Sequence, residues 1–436
     1  MKVLVFLSGI FFGTAFAATP LPPQSPHKTL GVATCASSLC HGSVQPWSDG
    51  KIRQDEYVLW SRNDPHARSY EKLFNDKSKE IAKKLGLPKP AHETPECLDC
   101  HTHNVPPARR GPEVALADGI QCEACHGPAE GWIKSHVAKD AKREESLASG
   151  MFPTRNPALR GQLCASCHYG NAQKLVTHRM MAAGHPRLAF EFDTFTHLQP
   201  AHYGGGRGAA GAEGLSDGVR NWAIGQALMA ETLLGLLTDP KRGRDGFFPE
   251  LVLFDCHACH HPMSEKRNAG ARLGVAPGAV RLNDSNLIMV RHIARRVSPT
   301  DAEAIASASK ALHATLAGGG DVLLHAKELR ERISRLVAKI EKHRFSAEDL
   351  RGIFQGLIDD GLAGQYSDYQ GAEQAAMALQ ALADFMARRG MAAAPALRPA
   401  MRRVMAAVAK DEAYRPEEFA AALRELRTGI EQARAQ

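Results

Sequence analysis

The sequence predicts a mainly α-helical fold: a core of short helices and loops that cannot fill its own interior, followed by a C-terminal α-helical bundle. Three observations predict it. All ten cysteines of the 436-residue chain lie between Cys35 and Cys259, in five clusters that each end on a histidine. Helix starts in that region are short, as at Asp64-Pro65 and Gly127-Pro128. From about Asp284 cysteine disappears, and Ala, Leu, Arg and Glu dominate helix-length runs.

Four clusters read Cys-x-x-Cys-His: Cys97 to His101, Cys122 to His126, Cys164 to His168 and Cys256 to His260. The remaining one is stretched, Cys35-Ala36-Ser37-Ser38-Leu39-Cys40-His41. This is the spacing of covalent haem attachment, in which both thiols form thioethers to the vinyl groups and the next histidine becomes an axial iron ligand. One short match is expected by chance in about one such chain in a hundred. The pattern predicts five haem c groups, held through Cys35, Cys40, Cys97, Cys100, Cys122, Cys125, Cys164, Cys167, Cys256 and Cys259. His41, His101, His126, His168 and His260 are the proximal ligands. The first part then reads as a multihaem cytochrome c core, short helices and loops wrapped around stacked haems. A low aromatic content of 6% fits, because flat macrocycles replace aromatic side chains as core filler. Zinc and disulfides are the competing readings of paired cysteines. A histidine directly after the second cysteine is poorly placed to join the same two sulfurs on one tetrahedral ion. The stretched cluster is where the disulfide reading competes most; two residues bulging outward would preserve its haem reading.

The elements follow in order. Lys2, the apolar run Val3 to Phe12 and Ala15-Phe16-Ala17 form a signal-peptide pattern over residues 1–17. This predicts an exported protein in the bacterial periplasm, where haem is attached, with no transmembrane anchor. After a Pro-rich lead, Pro20 to Pro26, residues 18–270 form the haem-binding domain. Asp64-Pro65 opens a helix that carries His66 and continues to Leu85, and a second follows Gly127-Pro128 with Trp132, Ile133 and His136. Gly204 to Gly214 is a Gly/Ala-rich loop, and an amphipathic helix spans about Asp217 to Leu237. Residues 284–436 form the helical domain. Its helices are predicted from Ser298-Pro299 to Gly318, Asp321 to His343, Ser346 to Asp360, Asp368 to Arg389, Pro395 to Lys410 and Pro416 to Ala435. Leu323, Leu324, Leu329, Ile333, Leu336 and Ile340 give the second of these an apolar stripe. This tail packs on the haem core or serves as a docking or dimerisation module.

The formal charge of +7 does not point to nucleic acid or an anionic membrane. Five haems, each with two propionates, would bring the mature chain to about +1 oxidised and about −4 reduced.

The sixth iron position decides function. A second histidine gives a six-coordinate iron suited to electron transfer, whereas an open position binds and activates a small molecule. His66 and His136, each at a short helix within the core, are the first distal candidates; His178, His185 and His202 form a second group. His27 in the lead reads as solvated. His103, His257 and His261 adjoin motifs, and His292, His313, His325 and His343 lie on tail helices. Met180, Met181 and Met263 read as packing residues.

Residues Thr34 to Tyr169 resemble the four-haem cytochrome c-554 family, electron acceptors from hydroxylamine oxidoreductase in ammonia oxidisers. The resemblance rests on order: a first haem motif, Trp60, Asp64-Pro65-His66-Ala67-Arg68, the Cys97 motif, Gly119-Ile120-Gln121 before the Cys122 motif, Gly127-Pro128, His136 and the Cys164 motif. It implies stacked and perpendicular haem pairs in a continuous path. It also implies His66 on the haem of His126, His136 on the haem of His41, and a five-coordinate haem on His101. The wide first motif, the fifth motif and the tail depart from the family. His178, His185 and His202 are enough to complete the haems of His101, His168 and His260.

Two functions follow. The first is a periplasmic relay passing single electrons between a donor and an acceptor protein. The alternative is a haem enzyme acting on a small nitrogen or sulfur compound at one open haem, with the His101 haem as the site and His92 or His103 as proton donor. Membership of a larger respiratory complex, or a homo-oligomer, is compatible with either.

Overall fold

The computed structural model describes residues 19–48, 52–202, 218–261, 281–391 and 394–435. The signal-peptide pattern, the Gly204 to Gly214 loop and Met263 lie outside the described residues. The chain is mainly helical.

The first part is built from short pieces: α1 (Glu56–Asn63), α2 (Asp76–Leu85), α3 (Pro95–His101), α4 (Cys122–His126), α5 (Ile133–His136) and α6 (Arg143–Ala148). The helix expected from Asp64 to Leu85 is broken. A 3-10 turn at Pro65–Arg68 is capped by Asp64, whose side chain accepts from His66 N. A second 3-10 turn follows at Tyr70–Phe74, and Asn75 then caps α2 afresh by accepting from Ser78 N. Past Gly127-Pro128, a 3-10 turn at Ala129–Gly131 precedes α5. His27 is not simply solvated. It packs over Gly131 and Gly150, where an added Cβ would meet its ring at 2.9 Å.

This part has a thin side-chain core: one small apolar cluster of Leu73, Ala82, Ala91 and Leu98, with Val32, Val105, Ala129, Trp132 and Phe152 buried apart from it. So few and scattered apolar residues bury too little to order well over a hundred.

The second part is different. It comprises α7 (Pro157–His168), α8 (His178–Ala183), α9 (Phe192–Leu198) and α10 (Gly218–Thr238), then a small hairpin of β1 (Arg244–Asp245) and β2 (Phe248–Pro249). The tail adds α11 (Ser285–Val297), α12 (Pro299–Gly318), α13 (Val322–Lys342), α14 (Ala347–Leu362), α15 (Tyr369–Arg388), α16 (Ala394–Ala407) and α17 (Pro416–Ala435). One apolar cluster runs from Ala158 on α7 to Leu426 on α17. At its centre α10 packs on α7, α9, α11, α13 and α15. The amphipathic helix expected here is therefore buried nearly all round, from Val219 through Trp222, Ile224 and Ala227 to Leu236. Its charged residues are few, and Glu231 reaches Arg330 on α13 at 3.9 Å.

The tail helices begin and end close to their expected positions, because their caps are local. Asp321 accepts from Leu324 N, Ser346 and Asp349 form a reciprocal capping box, and Asp368 accepts from Gly371 N. α11 was not anticipated. Nine of its residues are buried, and Ser285, Asn286 and His292 among them are polar, so its buried face does not read as a purely apolar stripe. The stripe on α13 is narrower than expected: Leu329, Ile333, Leu336 and Ile340 are buried with Ala326 and Val337, but Leu323 and Leu324 are exposed.

Candidate metal centres

Three of the five motifs fold as the last turn of a helix, ending α3 on His101, α4 on His126 and α7 on His168. Helical spacing of three sets the two thiols on one face and brings the histidine, at spacing four, beside the first cysteine. The fifth motif makes the same closure from a 3-10 turn, with His260 N donating to Cys256 O at 2.8 Å. The stretched motif keeps it too, His41 N donating to Cys35 O at 3.1 Å. Its extra length bulges outward over Ser37 to Leu39, and Leu39 is 80% exposed. The turn closes tightly enough that an added Cβ on Gly42 would lie 1.8 Å from Ala36 O.

None of the ten cysteines is in a disulfide. Burial pushes the Cys125 thiol up to about 12 and the Cys164 thiol up to about 11. Such apolar surroundings suit a thioether better than a metal thiolate. Cysteines of different motifs adjoin. Cys35 lies against Cys122, Cys100 against Cys167, and Cys125 near Cys164 and Cys167. Lys174 ties two of these motifs together, donating to Asp99 O at 2.7 Å and to Cys167 Sγ at 2.8 Å.

Four of the five motif histidines each face one distal candidate. Ring centres lie 6.0 Å apart for His41 and His136, 5.9 Å for His168 and His66, 6.4 Å for His126 and His202, and 6.1 Å for His260 and His178. His185 lies near His101: burial holds its imidazole below the usual range, and the charge of His101 adds to the effect. Two imidazoles bonded to one iron through nitrogens about 2 Å away have ring centres roughly 6 Å apart. Their planes are free to rotate about the shared axis, so interplanar angles from 21° to 82° are all admissible. Among the described residues no three His, Cys, Asp or Glu side chains converge on a point. The histidines meet in twos, which suits an axial pair and not a tetrahedral ion.

Hydrogen bonding orients these rings. His101 Nδ1 donates to Ser69 O at 3.1 Å, His185 Nδ1 to Pro186 O at 2.8 Å and His202 Nδ1 to Pro200 O at 3.2 Å. The Nδ1 atoms of His41 and His66 are held by Glu56 and Asp64, each at 2.9 Å. An Nδ1 bond fixes ring and tautomer and assigns metal binding to Nε2. Histidines outside the pairs use Nε2 otherwise: His103 on Thr29 Oγ1, His257 on Asp411, His292 on Asp360 and His343 on Asp349. Burial pushes His126 down to about 4, so it is neutral, as a ligand must be.

One pairing implied by the resemblance is corrected. His66 faces His168, and it is His202 that faces His126. The turn at Ser69 explains it: Ser69 Oγ donates to His66 O and His101 O, and Ile120 N donates to His66 O, which anchors the Pro65–Arg68 turn beside the second motif. His136 faces His41 as the resemblance implies, backed edge-on by Trp132. His103 is an unsuitable proton donor, because burial first, then Lys174 and Arg109, push it down to about 4. His92 lies flat on Phe74, ring centres 4.3 Å apart.

Two acidic residues that sequence reasoning missed organise the array. Glu123, inside the third motif and fully buried, accepts from Leu30 N, Gly31 N and Ala129 N, which draws the approach to the first motif against α4. Glu250, also buried, accepts from His178 N and Val252 N. Neither carries a sequence signal beyond an acidic residue near a motif.

Residues 34–127 match a family model described as cytochrome c554 and c-prime. That match gives the segment the character of a c-type cytochrome, a haem c protein of electron transfer. No curated protein and no solved structure matches the chain.

Proposed function

We propose that this chain is an exported periplasmic cytochrome that relays single electrons between a donor and an acceptor protein through five haem c groups. The observation that carries the reading is the pairing of four of the five motif histidines, each with one distal histidine at near 6 Å. The thin, scattered side-chain core of the first part supports it, since bound macrocycles would supply further apolar surface.

When bound, haem c supplies an iron that changes oxidation state by one electron with little rearrangement if both axial positions are filled. The chain's residues do the rest. Ten cysteines anchor, five motif histidines and His66, His136, His178, His185 and His202 fill the axial positions, and Nδ1 acceptors such as Glu56, Asp64 and Ser69 O hold the rings. One electron enters and one leaves, and no bond is made or broken. In this reading residues 18–270 carry every ligand, residues 284–436 buttress them through α10, and residues 1–17 direct export. No helix among the described residues is long and apolar enough to cross a membrane.

Low-temperature EPR of the oxidised, haem-loaded protein tests the reading, together with its intact mass. Five haem increments and low-spin signals alone are expected. A dominant high-spin ferric signal, or rapid carbon monoxide binding to one reduced haem, would move the assignment to an enzyme with an open site.

A further inference from the structure

The short helix α8 joins two pairs that belong to different motifs. His178 at its first position faces His260 of the fifth motif, ring centres 6.1 Å apart. His185, just past its end, lies beside His101 of the second motif, with its Nδ1 committed to Pro186 O. Seven residues separate the two, about 10 Å of helical rise.

The first end of α8 is fastened to the fifth motif, and the helix rests on α2, whose Ala82 shares an apolar cluster with Leu98 of the second motif. At the first end, His178 N donates to Glu250 Oε1 at 2.8 Å, and the same carboxylate accepts from Val252 N in the turn that leads into Cys256. Thr177 caps the helix by accepting from Met180 N. Along its body α8 packs on α2: Arg179, one residue past His178, donates from Nη2 to Leu85 O at 2.8 Å, and Ile81 lies against Gly184 at the far end. Gly184, at φ +118°, turns the chain so that His185 N donates back to Met180 O. That turn sends His185 out of the helix toward the second motif.

The geometry points to α8 as a two-ended ligand strap, His178 completing the fifth-motif haem and His185 the second-motif haem, so that the fifth haem joins the array beside the second. This inference rests on the electron-relay reading and deepens it. The adjoining cysteines extend the order: first motif by third through Cys35 and Cys122, third by fourth through Cys125 and Cys164, fourth by second through Cys167 and Cys100. The fifth motif follows the second through α8. The two ends are then the His41 pair and the His260 pair. His185 fills the position that the resemblance implies is open on the His101 haem, which removes small-molecule chemistry there.

The test uses the haem-loaded full chain and its His178→Ala, His185→Ala and His136→Ala variants, read by EPR and by carbon monoxide titration of the reduced form. Each variant is expected to gain one high-spin ferric signal and one equivalent of carbon monoxide binding, and His178→Ala with His185→Ala together to gain two. If His136→Ala gains its site and His185→Ala does not, the strap is refuted and the relay reading survives. If none of the three gains a site, the axial-pair reading itself fails. A double variant that gains only one site would mean that the two histidines serve the same haem.

Discussion

Arg281 is 2% exposed and sits between two buried carboxylates, Asp255 and Asp368, with Nη2 donating to each at 2.8 Å. The three residues join distant parts of the chain. Asp255 precedes the fifth motif and caps its turn by accepting from His257 N, whereas Asp368 caps α15. Burial first, then the charge of Asp368, push the Asp255 carboxyl up to about 6 even with the guanidinium present. Arg281→Met keeps much of the volume but removes the guanidinium that the two carboxylates share. Breaking a buried pair by removing one partner costs about 3–5 kcal/mol. With a urea slope near 3 kcal/mol/M or somewhat above, as suits a chain of this length, the midpoint falls by about 1 M. Circular dichroism at the helical band, followed through a urea titration, measures it. Arg281→Lys restores one charged partner and should recover a substantial part of the loss. A midpoint for Arg281→Met within about 0.3 M of the parent would refute the reasoning, because 1 kcal/mol or less is what exposed ion pairs contribute.

Two further outcomes follow from the geometry. Gly42→Ala forces a Cβ into the Ala36 carbonyl, so the stretched motif cannot close; the mature protein should lose one haem increment in intact mass, and a full complement would refute the constraint. Glu191 is fully buried and caps α9 by accepting from Asp193 N and Thr194 N, and burial, with the Asp193 charge, pushes its carboxyl up to about 7. A folded value above the unfolded one means stability that is complete below the unfolded value, 4.5, and is lost as pH rises through about 7, by about 3 kcal/mol at most. Glu191→Gln should flatten that slope between pH 5 and 8 in thermal unfolding, and an unchanged slope would assign it to other groups.

Local chemistry made much of this protein legible. Cysteine spacing made the five Cys/His motifs legible, since those patterns act over five to seven residues. Caps such as Asp321, Ser346 and Asp368 set the tail helices for the same reason. The break after Phe74 escaped notice because Asn75, an ordinary polar residue in sequence, becomes a cap only where the chain turns.

The sequence by itself determined how many Cys/His motifs there are, which histidine follows each, and that the chain is mainly helical. Only the tertiary structure decided which second histidine faces which first, because that depends on contacts between residues far apart in the chain. His66 shows the difference: the family resemblance implied His126, whereas Ser69 and Ile120 hold its turn and its ring meets His168. The buried, non-amphipathic character of α10 and the bridging position of α8 were decided the same way. Spacing along a chain fixes what neighbours can do together, and packing alone fixes which strangers become neighbours.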